Sequence, residues 1–198
     1  MDLDPKTDLK LERSIHAPRA LIWECWTRPE HIPQFFVPRP HRVTACEIDL
    51  RVGDRFNTTF EVDGKQIHNP GVYLEIIPGK KLVFTDGYSK DWRPSETPFM
   101  TAIVLLEDAS PGVTSYTAIV RLPTPETRET HEDMGFFEGW GTMVTQLEDY
   151  AAGLGRWTRR QGGFLARGGP LPTRGRGDPA RAIGRRAPFG GRDRSGPA

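Results

Sequence analysis

The stretch MGFFEGWGTMVTQLEDYAAGL, residues 134–154, decides how the chain is read. Placed at about 100° per residue, Tyr150, Met143, Phe136, Leu154, Leu147, Trp140, Ala151, Val144 and Phe137 fall in one arc of about 140°. That is wide enough to be the sheet-facing side of an amphipathic helix. The first half of the stretch also carries Gly135, Gly139 and Gly141. A glycine inside a helix costs about 1 kcal/mol relative to alanine. All three lie just outside the apolar arc, so they trim its margins without interrupting it. Trimming serves either a close approach of neighbouring backbone or a wider cavity where the helix meets the sheet.

Upstream of the helix the signals are those of strands. LKLERSI (9–15) alternates apolar and polar residues, as a half-buried strand does. Pro18 opens a short apolar helix, ALIWECW (20–26), and Pro29 and Pro33 bracket a second, PEHIPQFF, that Pro38 and Pro40 end. Strands are then expected over 43–50, 55–62, 65–78, 81–88, 99–108 and 113–122. Asp63-Gly64 supplies the positive φ angles of a two-residue hairpin turn, and Pro78-Gly79 and Ser110-Pro111-Gly112 mark further turns. Residues 123–130 read as a polar lead-in to the long helix, which is expected to end near Leu154. This order contains no βαβ alternation and predicts an α+β domain over residues 9–154, preceded by a short extension, 1–8. A curved antiparallel sheet wrapped around the long helix would bury both apolar faces.

Charge divides the chain in two. From Arg156 onward there are 11 Arg, two Asp and neither Lys nor Glu, a net of +9. Removing these from the chain's 27 basic and 26 acidic residues leaves 16 and 24 in residues 1–155, a net of −8. Arg, Gly, Pro and Ala make up 31 of the last 43 residues, a composition too poor in apolar side chains to offset its ordering entropy. Residues 155–198 are therefore expected to be a disordered tail. A solvated extension and the product of a shifted reading frame in GC-rich DNA share this composition. Its Arg-Gly runs loosely resemble nucleic-acid-binding segments, but Trp157, Phe164 and Phe189 are its only aromatics, so nucleic acid is not an expected partner. The acidic start MDLDPKTD lacks the features of a signal peptide, and no apolar run reaches the roughly 20 residues that span a bilayer. A cytoplasmic location is the expectation, with Cys25 and Cys46 as reduced core residues.

Four segments, RSIHAPRALIWECWTRPEHIPQFF (13–36), EIDLRVGDRF (47–56), GVYLEIIPGKKLVFT (71–85) and the 134–154 stretch, together resemble the activator of heat-shock-protein-90 ATPase homologue family, within the SRPBCC or START-like superfamily. The resemblance covers Leu9 to Leu154. It implies a helix-grip fold: six or seven antiparallel strands around the C-terminal helix, two short helices after the first strand, and a cavity between sheet and helix. It further implies a small hydrophobic or aromatic ligand. Polyketide cyclase or aromatase relatives supply an enzymatic alternative. The namesakes supply a second, a co-chaperone stimulating a heat-shock-protein-90 ATPase. A chaperone or a second copy of the chain would then be its partner. Phe35-Phe36 stands where the family often has a tryptophan pair, and Gly53-Asp54 where it often has Gly-Gly.

Strand parity gives candidate lining residues for such a cavity: Phe56, Phe60, Phe84, Tyr88, Trp92 and Phe99, joined by Met134, Phe137 and Gly141 from the helix. The alternative role of each is core packing. His68, Asp86 and Glu61 are the available acid–base groups. None falls in an evident pair, Asp86 beside Gly87 reads as a turn residue, and no catalytic residue is assigned. His16, His31, His41, His68 and His131 show no metal-ligand spacing, and no nucleotide or phosphate motif occurs, so neither metal nor cofactor is expected.

Overall fold

The computed structural model describes residues 2–165, with side chains for residues 2–155. Strand β1 (Asp8–Ile15) is followed by helix α1 (Arg19–Thr27) and a 3-10 turn (Ile32–Gln34). Then come β2 (Arg42–Ile48), β3 (Phe56–Val62), β4 (Lys65–Asn69), β5 (Val72–Ile77) and β6 (Lys81–Thr85). A small hairpin, β7 (Tyr88–Ser89) and β8 (Arg93–Pro94), leads to β9 (Thr101–Ser110) and β10 (Val113–Arg121). Helices α2 (Pro125–Asp133) and α3 (Phe136–Leu165) close the described chain.

All the strand pairings are antiparallel, in the orders β1-β10-β9-β6-β5 and β2-β3-β4, with β7-β8 apart. The expected strand 65–78 breaks in two at Pro70-Gly71, since proline cannot donate to a ladder. The break is a bend, not a gap. The Phe56 amide donates to the Gly71 carbonyl (2.9 Å), and the Gly71 amide donates to Asn57 Oδ1 (3.2 Å). With β4 and β5 as one bent strand, seven strands form a continuous curved sheet, the helix-grip arrangement that the sequence leads one to expect.

Cross-strand register explains the core. Leu9, Val120, Ala102 and Phe84 form one row across the concave face, and Leu11, Ala118, Val104 and Leu82 the next. All eight are buried. Against them pack Ile22, Cys25 and Trp26 of α1 and Phe136, Met143, Val144, Leu147 and Ala151 of α3. Trp26 lies at the centre, its ring 5.5 Å from Phe35, 5.7 Å from Phe36, 6.0 Å from Phe84 and 6.3 Å from Tyr116 between centroids.

The C-terminal region corrects the sequence reading in two places. Residues 125–133, taken as part of a polar lead-in and helix start, form a separate helix, α2, with a capping box between Thr124 and Thr127. Gly135 is then not inside a helix. It joins α2 to α3 at φ +91°, a backbone region that only glycine enters without strain. At the other end α3 runs to Leu165, past the expected end at Leu154. Most of the expected tail, 166–198, lies outside the described residues. No described helix is long and apolar enough to cross a membrane.

Candidate functional site

Between the chain after the 3-10 turn and the first turns of α3 lies an apolar pocket of about 200 Å³, lined by Phe36, Pro38, Met100, Gly139, Trp140 and Met143. The helix presents Trp140 and Met143 because they belong to its apolar arc. Gly139 lies at the margin, and a Cβ built there meets no atom within 4 Å. The missing side chain therefore leaves free space at the pocket wall. By contrast, a Cβ on Gly141 would stand 3.6 Å from Arg13 Nη2, an ordinary contact outside the pocket.

The opposite wall, residues 35–39, has no regular ladder to hold it. Gln146 of α3 takes that role, its Nε2 donating to the carbonyls of Phe35 and Val37 (2.9 Å each) and its Oε1 accepting from the Arg39 amide (3.2 Å). Gln146 escaped the sequence reading because it stands just off the apolar arc as one more polar helix residue. Its importance comes from three backbone groups more than a hundred positions away.

Met100 lines a second, wider groove of about 480 Å³ at the end of the sheet, together with Thr85, Tyr88, Pro94, Phe99, Thr101 and Arg121 among others. Met100 is thus the shared wall. Its backbone is fixed at both ends, since its amide donates to Asp86 Oδ1 (2.9 Å) and its carbonyl accepts from Thr85 Oγ1 (3.0 Å). Its side chain, which lines both spaces, is unbranched and flexible.

The nine residues proposed from sequence fall in four places. Phe56, Phe60 and Phe84 join the aromatic core around Trp26, Phe36 and Tyr73, with Phe56 and Phe84 ring centroids 4.7 Å apart. Tyr88 and Trp92 are exposed and touch each other on the β7–β8 hairpin, with ring centroids 6.1 Å apart. Phe99, Met134 and Phe137 are also exposed, at 45%, 68% and 43%, around the elbow between α2 and α3. Gly141 faces Arg13. Phe36, Trp140 and Met143, not those nine, line the apolar pocket. On β3 and β6 parity picks out residues of the core-facing side, but it cannot tell which part of a face the helices cover.

The acid–base groups are dispersed and occupied. His68 Nδ1 lies 3.1 Å from Thr59 Oγ1 on the exposed strand β4. Glu61 accepts from Arg42 and Gln66. Asp86 clamps the Phe99 and Met100 amides, the turn role expected of it. Burial, aided by the neighbouring Glu24 and Glu47 carboxylates, pushes the Cys25 and Cys46 thiols up to about 12, far from a reactive thiolate. Among the described residues no three His, Cys, Asp or Glu side chains are grouped to hold a metal ion.

One further residue escaped the sequence reading. His131 of α2 is buried, with its ring 4.5 Å from Phe99 and 5.8 Å from Phe136 between centroids. Burial lowers its pKa, against the opposing pull of Asp86.

Comparison with known proteins places this geometry. A model of the family described as Activator of Hsp90 ATPase homolog 1-like protein matches residues 16–152. A structure from Nitrosomonas europaea shares 40% identity, covers 74% of this chain and 95% of its own, and superposes with a TM-score of 0.72. A Mycobacterium smegmatis protein at 21% identity covers 75% and 93% with a TM-score of 0.64. A Silicibacter pomeroyi protein named AHSA1, at 20% identity, covers 73% and 97% with a TM-score of 0.55. The last two likenesses concern the fold alone. No curated protein matches the sequence.

Proposed function

Because the chain belongs to the Activator of Hsp90 ATPase homolog 1-like protein family, we propose that it binds a compact hydrophobic or aromatic molecule in the grip, against α3. The observation that supports this most is the apolar pocket beside Gly139. Its volume, about 200 Å³, bounds the part of a ligand that it can enclose. Drug-sized ligands occupy roughly 300–1,000 Å³, whereas an apolar cavity of about 150 Å³ takes benzene. The pocket therefore suits a single ring, stacked or edged against Phe36 and Trp140. A longer molecule would need Met100 to swing aside and join the pocket to the outer groove.

Native mass spectrometry of the purified protein would identify a co-purifying molecule. Titration with toluene and indole, followed by the chemical shifts of the Met143 and Met100 methyls, tests the pocket directly. Saturable binding is expected, reduced at least about tenfold, or 1.4 kcal/mol, by Gly139→Leu. A correctly folded Gly139→Leu protein that binds as well as the wild type would overturn the reading.

A further inference from the structure

The exposed apolar residues at the elbow between α2 and α3 raise a separate question. Phe99 and Phe137 are linked through the ring contacts Phe99–His131, His131–Phe136 and Phe136–Phe137, and the exposed Met134 ends α2 between His131 and Phe136 in the chain. Around them stand Glu129, Asp133 and Glu138, all exposed and without an ion pair among the described residues. Glu132 beside them is held by Arg128. Glu129 and Asp133 repel across one helical turn, and Glu132 and Asp133 oppose the negative end of the α2 dipole. Exposed apolar side chains rimmed by like charge are the composition of an interaction surface. Its electrostatics call for a cationic partner with some apolar character.

We propose that this elbow is the docking surface for the chain's own residues 166–198. That segment carries eight Arg, two Asp and no Lys or Glu, together with Leu171, Ile183 and Phe189. Arginine suits both halves of the surface. Its planar guanidinium pairs bidentately with carboxylates and stacks on phenylalanine faces, which lysine does less well. The net −8 of residues 1–155 and the net +9 beyond them complete the complementarity. Reach is sufficient. The helix α3 carries the chain about 45 Å away from the elbow. The 33 residues beyond it have a contour of at most about 110 Å, more than twice that distance. Because the segment is tethered, individually weak contacts act at high effective concentration.

A nitroxide on Ala182→Cys in the full chain, with Cys46→Ala to leave only the buried Cys25, reads the docking through paramagnetic broadening. At about 0.1 M salt the amides of residues 129–138 should broaden at least about twofold more than those of β2 and β3. The effect should vanish at about 1 M salt, where the screening length falls from about 10 Å to about 3 Å. It should vanish equally in E129K/D133K/E138K. Uniform broadening, or broadening centred on another face, overturns the proposal. Mixing the labelled chain with an unlabelled, isotope-enriched one distinguishes the source. Elbow broadening in that mixture as strong as within one chain means a second copy docks, and overturns the same-chain assignment. Should the labelled variant not fold, hydrogen exchange on the native chain gives an independent reading. Slowed exchange in residues 170–190 that E129K/D133K/E138K abolishes supports the docking. Equally fast exchange in both proteins refutes it.

Discussion

Of three glycines within seven residues, indistinguishable by type, two serve different ends. Gly135 ends one helix and starts another at φ +91°. An alanine there must enter the left-handed region, and Gly135→Ala is expected to lower stability by about 1–2 kcal/mol in denaturant unfolding. Gly139 lies within α3, with open space where its Cβ would be. Gly139→Ala should therefore raise stability by up to about 1 kcal/mol through helix propensity while weakening ligand binding. Opposite signs from the same substitution four residues apart would be hard to explain if both glycines lay in one helix. The sequence was legible here only to the level of the apolar arc. That the glycines lie outside it followed from periodicity. That Gly135 separates two helices goes with α2 packing through His131 against Phe99, a contact that no local pattern displays.

Helix α2 illustrates what hydrophobic periodicity misses. PETRETHED has almost no apolar side chain, so no stripe announces a helix. Its order comes instead from the Thr124–Thr127 box, Pro125 in the first turn, the Arg128–Glu132 pair and one buried imidazole. The Thr124-Pro125 start signal was available in the sequence. Removing the cap with Thr124→Ala should cost about 1 kcal/mol and release α2 before the rest of the molecule, seen as faster amide exchange in residues 125–133. His131 adds a dependence on pH. Burial lowers its pKa in the fold, whereas the unfolded chain protonates it at about 6.5. Below that value the unfolded state binds more protons, so stability falls as pH falls from about 7 toward the lower folded pKa. Thermal unfolding midpoints should decline over that interval, and His131→Phe should flatten the decline. An unchanged slope would mean that the proton is taken up elsewhere.

At the scale of the molecule, the fold was legible because its largest energy term was. Alternating strands, the turn residues and one amphipathic helix determine which faces must be buried, and a curved sheet around a helix buries them. What could not be read was where the sheet bends, since that depends on close contacts between strands distant in sequence. The bend is set at Gly71. A Cβ there would lie 2.8 Å from the Thr85 carbonyl oxygen and 3.1 Å from that of Phe56. Thr85 belongs to the five-stranded part and Phe56 to the three-stranded part, so Gly71 stands where the two meet. Both obstacles are backbone atoms within ladders and cannot rotate away as a side chain could. Gly71→Ala should therefore wedge the two parts of the sheet apart and cost about 1–3 kcal/mol, as overpacking does. The loss should reach both parts together. Tryptophan fluorescence, which sums Trp26 at the centre of the core with the chain's four other tryptophans, and far-ultraviolet dichroism, which reports the whole sheet, should shift to the same lower denaturant midpoint. Separate midpoints would mean that the two parts of the sheet unfold as independent units, and an unshifted one that the strands at Gly71 yield without loss.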